Sequence, residues 1–393
     1  MRILYHHRTR ATDAQGIHIF QIVKALRDSG HTVEMASLAR TDGPRKELAA
    51  GNANGIGLRK LPFLSELVQL GYNAVGIPML LWKMWRGRVD FVYERYSLLN
   101  FSGVLAAKVM GRPIVLEVNS PLALEQYRDG HIRWYGLAKW AERVVCNLAT
   151  KVLVVSTPLA RILKGEGVAA SKLEVMPNGV DLEQFERHLE APETRSLRES
   201  LRLQGSVIIG FAGWFKAWHG LELLLDAFRQ RGLAGKGAKL VLIGDGPAMP
   251  TLQEYVRNFR LAESVVFTGP ISHDEMPRYL ALVDIAVQPA ANEYCCPMKI
   301  LEYMALGKAI VAPRQDNILD LLDDTDAQFF APCEAESLGD ALEELIRDGT
   351  LRTRLGNTAR TAVDRRGLLW GKNTDRVVSL VAPIPRTVAN RGV

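Results

Sequence analysis

The feature that most limits this chain is a repeated alternation: short β-branched apolar runs are each followed by a segment of helical periodicity. In the first half the runs are RILYHH (2–7), HTVEMAS (31–37), FVYERY (91–96), PIVLEVN (113–119) and KVLVVST (151–157). Continuous apolar strands between helices predict a parallel sheet covered on both faces, because a parallel neighbour can be reached only through a crossover. The first helical segment shows the pattern. Ile19, Ile22, Val23 and Leu26 recur at helical spacing as one apolar stripe, and Gly30 supplies a left-handed cap. After a polar stretch from Asp181 to Gly205 the alternation restarts with VIIGFAG (207–213), KLVLIGD (239–245), SVVFTGP (264–270), IAVQPA (285–290) and AIVAP (309–313). An interrupted repeat of this kind predicts an α/β chain of two doubly wound domains joined near residue 190. At 393 residues the chain is also too long for one comfortable core.

Composition narrows the class. With 48% hydrophobic and 23% charged residues and no biased tract, the chain reads as a soluble enzyme, not as a collagen-like or disordered one. Cys146, Cys295, Cys296 and Cys333 supply neither a disulfide framework nor the spacing of a zinc site, so a reducing, cytoplasmic setting is expected. MRILYHHRTR lacks the apolar core of a signal peptide, and no apolar run approaches the length of a membrane span. The net charge of +6 conceals an asymmetry, since residues 1–176 carry 24 Lys and Arg against 14 Asp and Glu. A basic half attracts anionic partners, such as a membrane surface or a phosphorylated substrate.

In doubly wound sheets, ligands bind beyond the carboxyl ends of the strands, so strand-to-helix junctions are where chemistry belongs. Four junctions stand out. FAGWFKAWHGLELLLDAF ends a strand at Gly213, carries Lys216 and His219 in its loop, and opens a helix at Gly220 with a stripe of Leu221, Leu224, Leu225 and Phe228. Amides at a helix start with a cation beside them suit a diphosphate. In LVLIGDGP, Gly244 and Gly246 allow a sharp turn and close backbone approach, a feature that many such turns share. In VVFTGPISHDEM, Gly269 and Pro270 end a strand before Ser272 and Glu275, which are spaced as a capping box. In ANEYCCPMKILEYMALGKAIVA, a helix beginning near Met298 puts Lys299 in its first turn and Glu302 about one turn later. A carboxylate there is placed to accept hydrogen bonds from a ribose diol. Cys295 and Cys296, adjacent in extended backbone, point apart and read as loop fillers.

The string from Ala291 to Ala312 resembles the nucleotide-sugar signature of the retaining family-four glycosyltransferases (glycosyl transferases group 1) of GT-B fold, particularly the subset reading SPMK-x-x-EYMA-x-G. KLEVMPNGVDLEQF (172–185), VLIGDGP (241–247), VVFTGPISHDEMPRYLALVDIAVQP (265–289) and the helix 16–30 followed by HTV resemble further blocks of that family in order and spacing, over nearly the whole chain. The resemblance implies two Rossmann-like domains facing across a cleft: residues 1–187 for the acceptor, 188–366 for the nucleotide sugar, and 367–393 as a helix returning to the first domain, with a tail. It implies Glu302 on the donor ribose, the backbone around Pro297, Met298, Lys299 and Ile300 against the diphosphate and sugar, and Pro270 and Ile271 against the base. Gly16, Gly244 and Gly246 would be points of close approach to the donor. Transfer would proceed on one face of the sugar, with the leaving diphosphate drawing the acceptor's proton, so charge stabilisation of that group carries most of the catalysis. The expected partners are a nucleotide sugar and a carbohydrate or lipid-linked acceptor, with no nucleic acid, no metal and no other cofactor.

Three positions depart from the family pattern. Its Gly-Arg pair followed five residues later by Lys stands here as Gly213, Trp214 and His219. Lys216 is then left to supply a cation, and His219 acts either protonated or as a neutral donor. The first signature Glu falls at Tyr294, beside Glu293, which serves if the loop shifts by one residue. The catalytic-site His at a strand end aligns with Asn119 in LEVNSP, which can donate to a sugar hydroxyl but carries no charge. Each has a plainer reading: Lys299 and Glu302 as surface charges, His219 as a packing histidine, Asn119 as a loop cap and Gly16 as a helix-start glycine.

One stretch has no counterpart of comparable strength in the resemblance. LPFLSELVQLGYNAVGIPMLLWKMWRGR (61–88) is apolar, with Trp82 and Trp85 near Lys83, Arg86 and Arg88. It suits either a core helix with one surfacing end or a helix lying at a membrane interface, which would make the protein peripheral at the inner face of the membrane. The expected activity is hexosyl transfer from a nucleoside diphosphate sugar to a hydroxyl acceptor. A nucleotide-sugar epimerase and a noncatalytic nucleotide-sugar binder are the alternatives, whereas a dinucleotide oxidoreductase is disfavoured because no G-x-G-x-x-G follows any strand.

Overall fold

A computed structural model describes residues 1–9, 14–37, 62–189, 191–272 and 274–382. Of the segments read above, Arg10, Leu61, Glu190, His273 and 383–393 lie outside these residues. In the first half β1 (Arg2–His6), β2 (Thr32–Ala36), β3 (Phe91–Arg95), β4 (Ile114–Val118), β5 (Lys151–Val154) and β6 (Leu173–Val175) form a parallel sheet in the order β2-β1-β3-β4-β5-β6. In the second, β7 (Val207–Ala212), β8 (Ala238–Ile243), β9 (Val265–Phe267), β10 (Ile285–Val287), β11 (Ala309–Pro313) and β12 (Gln328–Phe330) form another, in the order β12-β11-β10-β7-β8-β9. Both sheets reverse their winding direction once, between β1 and β3 and between β7 and β10, and a crevice opens at such a switch point.

The sequence reading missed β6 and β12. Both lie at a sheet edge, where three paired residues complete the ladder and no apolar run long enough to be distinctive is required. The capping box at Ser272 and Glu275 is a second correction. The helix starts at Met276, Glu275 is its cap residue, and the Ser272 hydroxyl donates to the Glu275 carboxylate at 3.1 Å instead of accepting from a helix amide. The helical stripes behave as periodicity requires: Ile19, Ile22, Val23 and Leu26 are buried, as are Leu221, Leu224, Leu225 and Phe228.

Two chain passages join the halves. Near Val180 and Leu369 the outgoing and returning chains run side by side, linked as an isolated parallel bridge. Gly179 makes this possible, since a Cβ there would lie 2.5 Å from the Trp370 backbone nitrogen. The last helix, Trp370–Val381, packs on the helix Ala14–Asp28, and Trp370, Val377 and Val381 join a core with Ile3, Tyr5, Ile19 and Tyr93. Removing the indole should leave a cavity that neither backbone nor neighbours can close. Trp370→Ala is expected to lose about 3–5 kcal/mol in urea unfolding of the N-terminal sheet; a loss below about 1 kcal/mol would show that the last helix does not hold that sheet together.

Candidate active site

The crevice at the second switch point is lined by the loops after β7 and β10. Its backbone is set by close approaches. Gly244 has φ +129°, and a Cβ there would lie 2.1 Å from the Gly213 carbonyl oxygen; at Gly213 a Cβ would lie 3.2 Å from the Lys299 Nζ. The loop after β8 is therefore pressed on the loop after β7, and the missing side chain at Gly213 leaves room for an ammonium. Gly246 likewise backs onto Phe215. Gly244 also donates to the Thr268 hydroxyl at 3.2 Å and bridges to Gly269, which brings exposed Pro270 and half-buried Ile271 beside the same turn.

The helix Met298–Ala305 starts at the rim of this crevice. Pro297 is its cap residue and has no N–H, and the Ile300 N–H is used by the Pro297 carbonyl. Of the four positions whose backbone is expected at the diphosphate, Met298 and Lys299 thus remain to offer amides. The Lys299 Nζ lies 4.0 Å from the centre of the Phe211 ring. Burial pulls the ammonium down to about 7, with Glu302 working against the shift. Burial likewise pushes the Glu302 carboxyl up to about 7, opposed by Lys299. The two therefore sit on one helix, one turn apart, each short of solvation and each poised to be charged by a ligand of opposite or hydrogen-bonding character.

His219 departs from one of its two expected roles. It is buried, its ring lies 5.3 Å from Phe211 and 3.9 Å from Trp218 between centroids, and its Nδ1 has no partner. Burial, followed by the positive charge of Lys299, lowers its pKa to about 3, so the imidazole is neutral in the free protein. The protonated form is thereby disfavoured and the neutral role remains. Lys216 is exposed at the mouth, with its ammonium 5.9 Å above the Trp218 ring.

Across the cleft, the carboxyl ends of β3 and β4 carry a buried polar network that the sequence reading did not identify. Arg95 donates to Glu117 Oε1 at 2.7 Å and to His18 Nδ1 at 3.0 Å, while His18 Nε2 bonds Asn178 Oδ1 at 2.9 Å. With Arg95 donating to Nδ1, His18 is the tautomer protonated at Nε2. Burial alone would raise the Glu117 carboxyl, but His18, Arg95, Tyr93 and Asn119 together hold it below the usual carboxylate range. Asn119 ends β4 and spends one amide hydrogen on Glu117 Oε1, at 2.5 Å. Gly16 is buried in the first turn of the helix that carries His18. The signal available in the sequence was a histidine on the apolar face of that helix, two residues past Gly16.

The loop before Met298 is gripped by the N-terminal half. The Tyr294 hydroxyl donates to Glu125 Oε1 at 2.6 Å, the Ser156 hydroxyl donates to the Tyr294 carbonyl at 2.7 Å, and Asn178 Nδ2 donates to the Cys296 carbonyl at 3.3 Å. Ser120 holds the other oxygen of Glu125 at 2.6 Å. Tyr294 therefore spans the cleft, whereas Glu293 is exposed and makes no hydrogen bond or ion pair among the described residues. Among the described residues no group of three His, Cys, Asp or Glu side chains is arranged to hold a metal ion.

Two facing parallel sheets with a nucleotide crevice define a two-domain α/β enzyme of GT-B fold, and comparison with known proteins agrees. Residues 206–348 match the family described as Glycosyl transferases group 1, and residues 15–184 match Glycosyltransferase Family 4. The chain belongs to the group 1 glycosyltransferases and transfers a sugar from a nucleotide sugar, which leaves the epimerase and the noncatalytic binder unfavoured. It is 26% identical over 262 residues to the alpha-D-kanosaminyltransferase of Streptomyces kanamyceticus, covering 66% of this chain and 68% of that one. It is 25% identical over 383 residues to the D-inositol 3-phosphate glycosyltransferase of Paenarthrobacter aurescens, covering 91% and 90%. Among solved structures, HepE of Anabaena in complex with UDP superposes with a TM-score of 0.69 at 17% identity, covering 96% of this chain and 99% of that one.

The lowered Lys299 pKa carries a signed prediction. At pH 8 the free ammonium, at about 7, is mostly deprotonated; a diphosphate beside it raises the pKa again, so binding takes up a proton. Titration calorimetry of UDP at pH 8 in buffers of different ionisation heat should show this uptake. Affinity should be full below about pH 7 and fall as pH rises through the pKa in the complex. Lys299→Arg, which stays charged, should abolish the uptake; an unchanged buffer dependence would place the proton elsewhere.

Proposed function

We propose that the protein is a retaining hexosyltransferase that moves the sugar of a nucleoside diphosphate sugar to a hydroxyl acceptor held by the N-terminal domain. The observation that carries the reading is the pair Lys299 and Glu302, one turn apart at a helix start in the crevice and each driven toward neutrality by burial. Glu302 holds the ribose diol, and the Met298 and Lys299 amides with the Lys299 ammonium hold the diphosphate. Gly244, Gly246, Pro270 and Ile271 shape the base end. As the bond from the anomeric carbon to the diphosphate breaks, negative charge grows on the leaving oxygen beside Lys299 and the helix start, where fixed donors are most effective. The acceptor oxygen bonds the anomeric carbon on the same face, and its proton passes to the departing diphosphate. His219 contributes as a neutral donor, Lys216 attracts the diphosphate at the mouth, and Asn119 orients a sugar hydroxyl, all without a bound metal.

The apolar helix Pro62–Gly87 on the acceptor domain supports an acceptor that is lipid-linked or presented near a membrane. HepE holds UDP, so uridine diphosphate sugars are the first donors to test. Incubated with a panel of UDP-hexoses and hydroxyl acceptors, the protein should release UDP and give a product whose anomeric configuration, read by NMR coupling constants, equals that of the donor. Inversion would overturn the retaining mechanism. Glu302→Ala should lower kcat/KM by an amount equivalent to about 1–3 kcal/mol, roughly fivefold to 150-fold, without changing the melting temperature of the free protein by more than a few degrees. Full activity in that variant would remove Glu302 from the donor site.

A further inference from the structure

The helix Pro62–Gly87 is 26 residues long, or about 39 Å at 1.5 Å per residue. One of its edges carries Leu64, Val68, Gly71, Val75, Pro78, Trp82 and Trp85, spaced alternately by four and three residues, so they form a single stripe along its length. This stripe faces outward: Val68 is 56% exposed, Val75 55% and Trp85 73%. A helix that merely surfaced at one end would show such values only there. The core reading of this segment therefore describes only its other edge, where Gly76, Leu80 and Met84 are buried.

The stripe continues onto neighbouring elements. Phe63 meets Trp134 edge to face at 5.1 Å, and the helix Tyr135–Leu148 adds exposed Leu137 and Trp140. This junction is built, not accidental. Glu66, the only carboxylate of the long helix, is buried and accepts the backbone amides of Arg133 and Trp134 at 3.2 and 2.8 Å. The helix Ser102–Val109, packed on the long helix where a Cβ at Gly76 would touch Ser102, leaves Leu105 and Val109 exposed. Exposed apolar area of this extent on a monomer marks a docking surface.

We infer that this face of the N-terminal domain docks on an anionic lipid bilayer, with the helix Pro62–Gly87 lying in the plane of the interface. Charge selects this occupant. The long helix offers exposed Arg86, stacked 5.3 Å over Trp82, with exposed Arg88 just past its end; Lys83 is paired with Glu34 at 2.5 Å, and the one acid of the helix is turned inward. A second copy pairing along the same stripe would bring arginines to arginines, Glu34 being already engaged by Lys83, whereas anionic headgroups complement the arginines and the two indoles alike. The helix lies on the membrane instead of crossing it, since no helix among the described residues is long and apolar enough to span one. The inference rests on the proposed membrane-proximal acceptor for its purpose, not for its geometry.

Flotation of the full chain with phosphatidylcholine vesicles, with and without phosphatidylglycerol, tests this. Binding is expected to the vesicles containing phosphatidylglycerol and to weaken with salt. The triple variant Val68→Ser, Val75→Ser, Trp85→Ser should lower partitioning by about tenfold or more, and Arg86→Glu should remove the preference for phosphatidylglycerol. Phe259→Ser, at an exposed apolar site on the other domain, should change neither. The stabilisation of each variant by UDP is measured in parallel, so that loss of membrane binding with nucleotide binding intact separates this inference from the proposed chemistry. No flotation of the wild type, undiminished flotation of the triple variant, or a dimer seen by light scattering that the triple variant abolishes would overturn it.

Discussion

A parallel strand can be followed by a parallel neighbour only after the chain has crossed back over a face of the sheet, and that constraint organises this molecule. All carboxyl ends in a sheet then point to one edge, and the reversal of winding leaves a gap where two connections part. In the second sheet the gap lies between β7 and β10, so Gly213, Lys216 and His219 come from one side and the loop to Met298 from the other. In the first it lies between β1 and β3, and Arg95 at the end of β3 meets His18 beside it. Neither set of side chains is grouped in the sequence; the sheet edge assembles them.

Desolvation then decides what the assembled groups can do. Lys299 and Glu302 occupy the same helix start, and burial drives both to about 7, so the crevice bears less charge than its composition suggests. His219 answers in the same way, because burial and then the charge of Lys299 hold it neutral. One cation suppresses another that the fold brings beside it from eighty residues away. A diphosphate would relieve both, and the site is thus arranged for a ligand that supplies the negative charge the protein leaves out.

The contacts between the halves show why Tyr294 stands where the family pattern has a carboxylate. Its hydroxyl reaches Glu125 of the opposite domain, whose other oxygen is held by Ser120. The loop Tyr294–Cys296 is held by Glu125, Ser156 and Asn178, all from the N-terminal half. Glu293, adjacent in sequence, is exposed in the same turn, which the Cys295 amide closes onto the Asn292 carbonyl at 3.2 Å.

The sequence by itself determined the two sheets, most of their strands, the helix stripes and the helix start at Met298, since hydrophobic period and glycine position are local properties written residue by residue. It also placed Lys299 and Glu302 one turn apart, because helical spacing is fixed geometry. It did not disclose β6 and β12, which are strands only because an edge was there to pair with. Only the tertiary structure decided that His219 is neutral, that Ile300 offers no free amide, that Arg95, Glu117, His18 and Asn178 form one network, and that the apolar stripe of Pro62–Gly87 faces outward. Solvation and long-range pairing depend on what the rest of the chain brings within a few ångströms, and no local pattern records that distance.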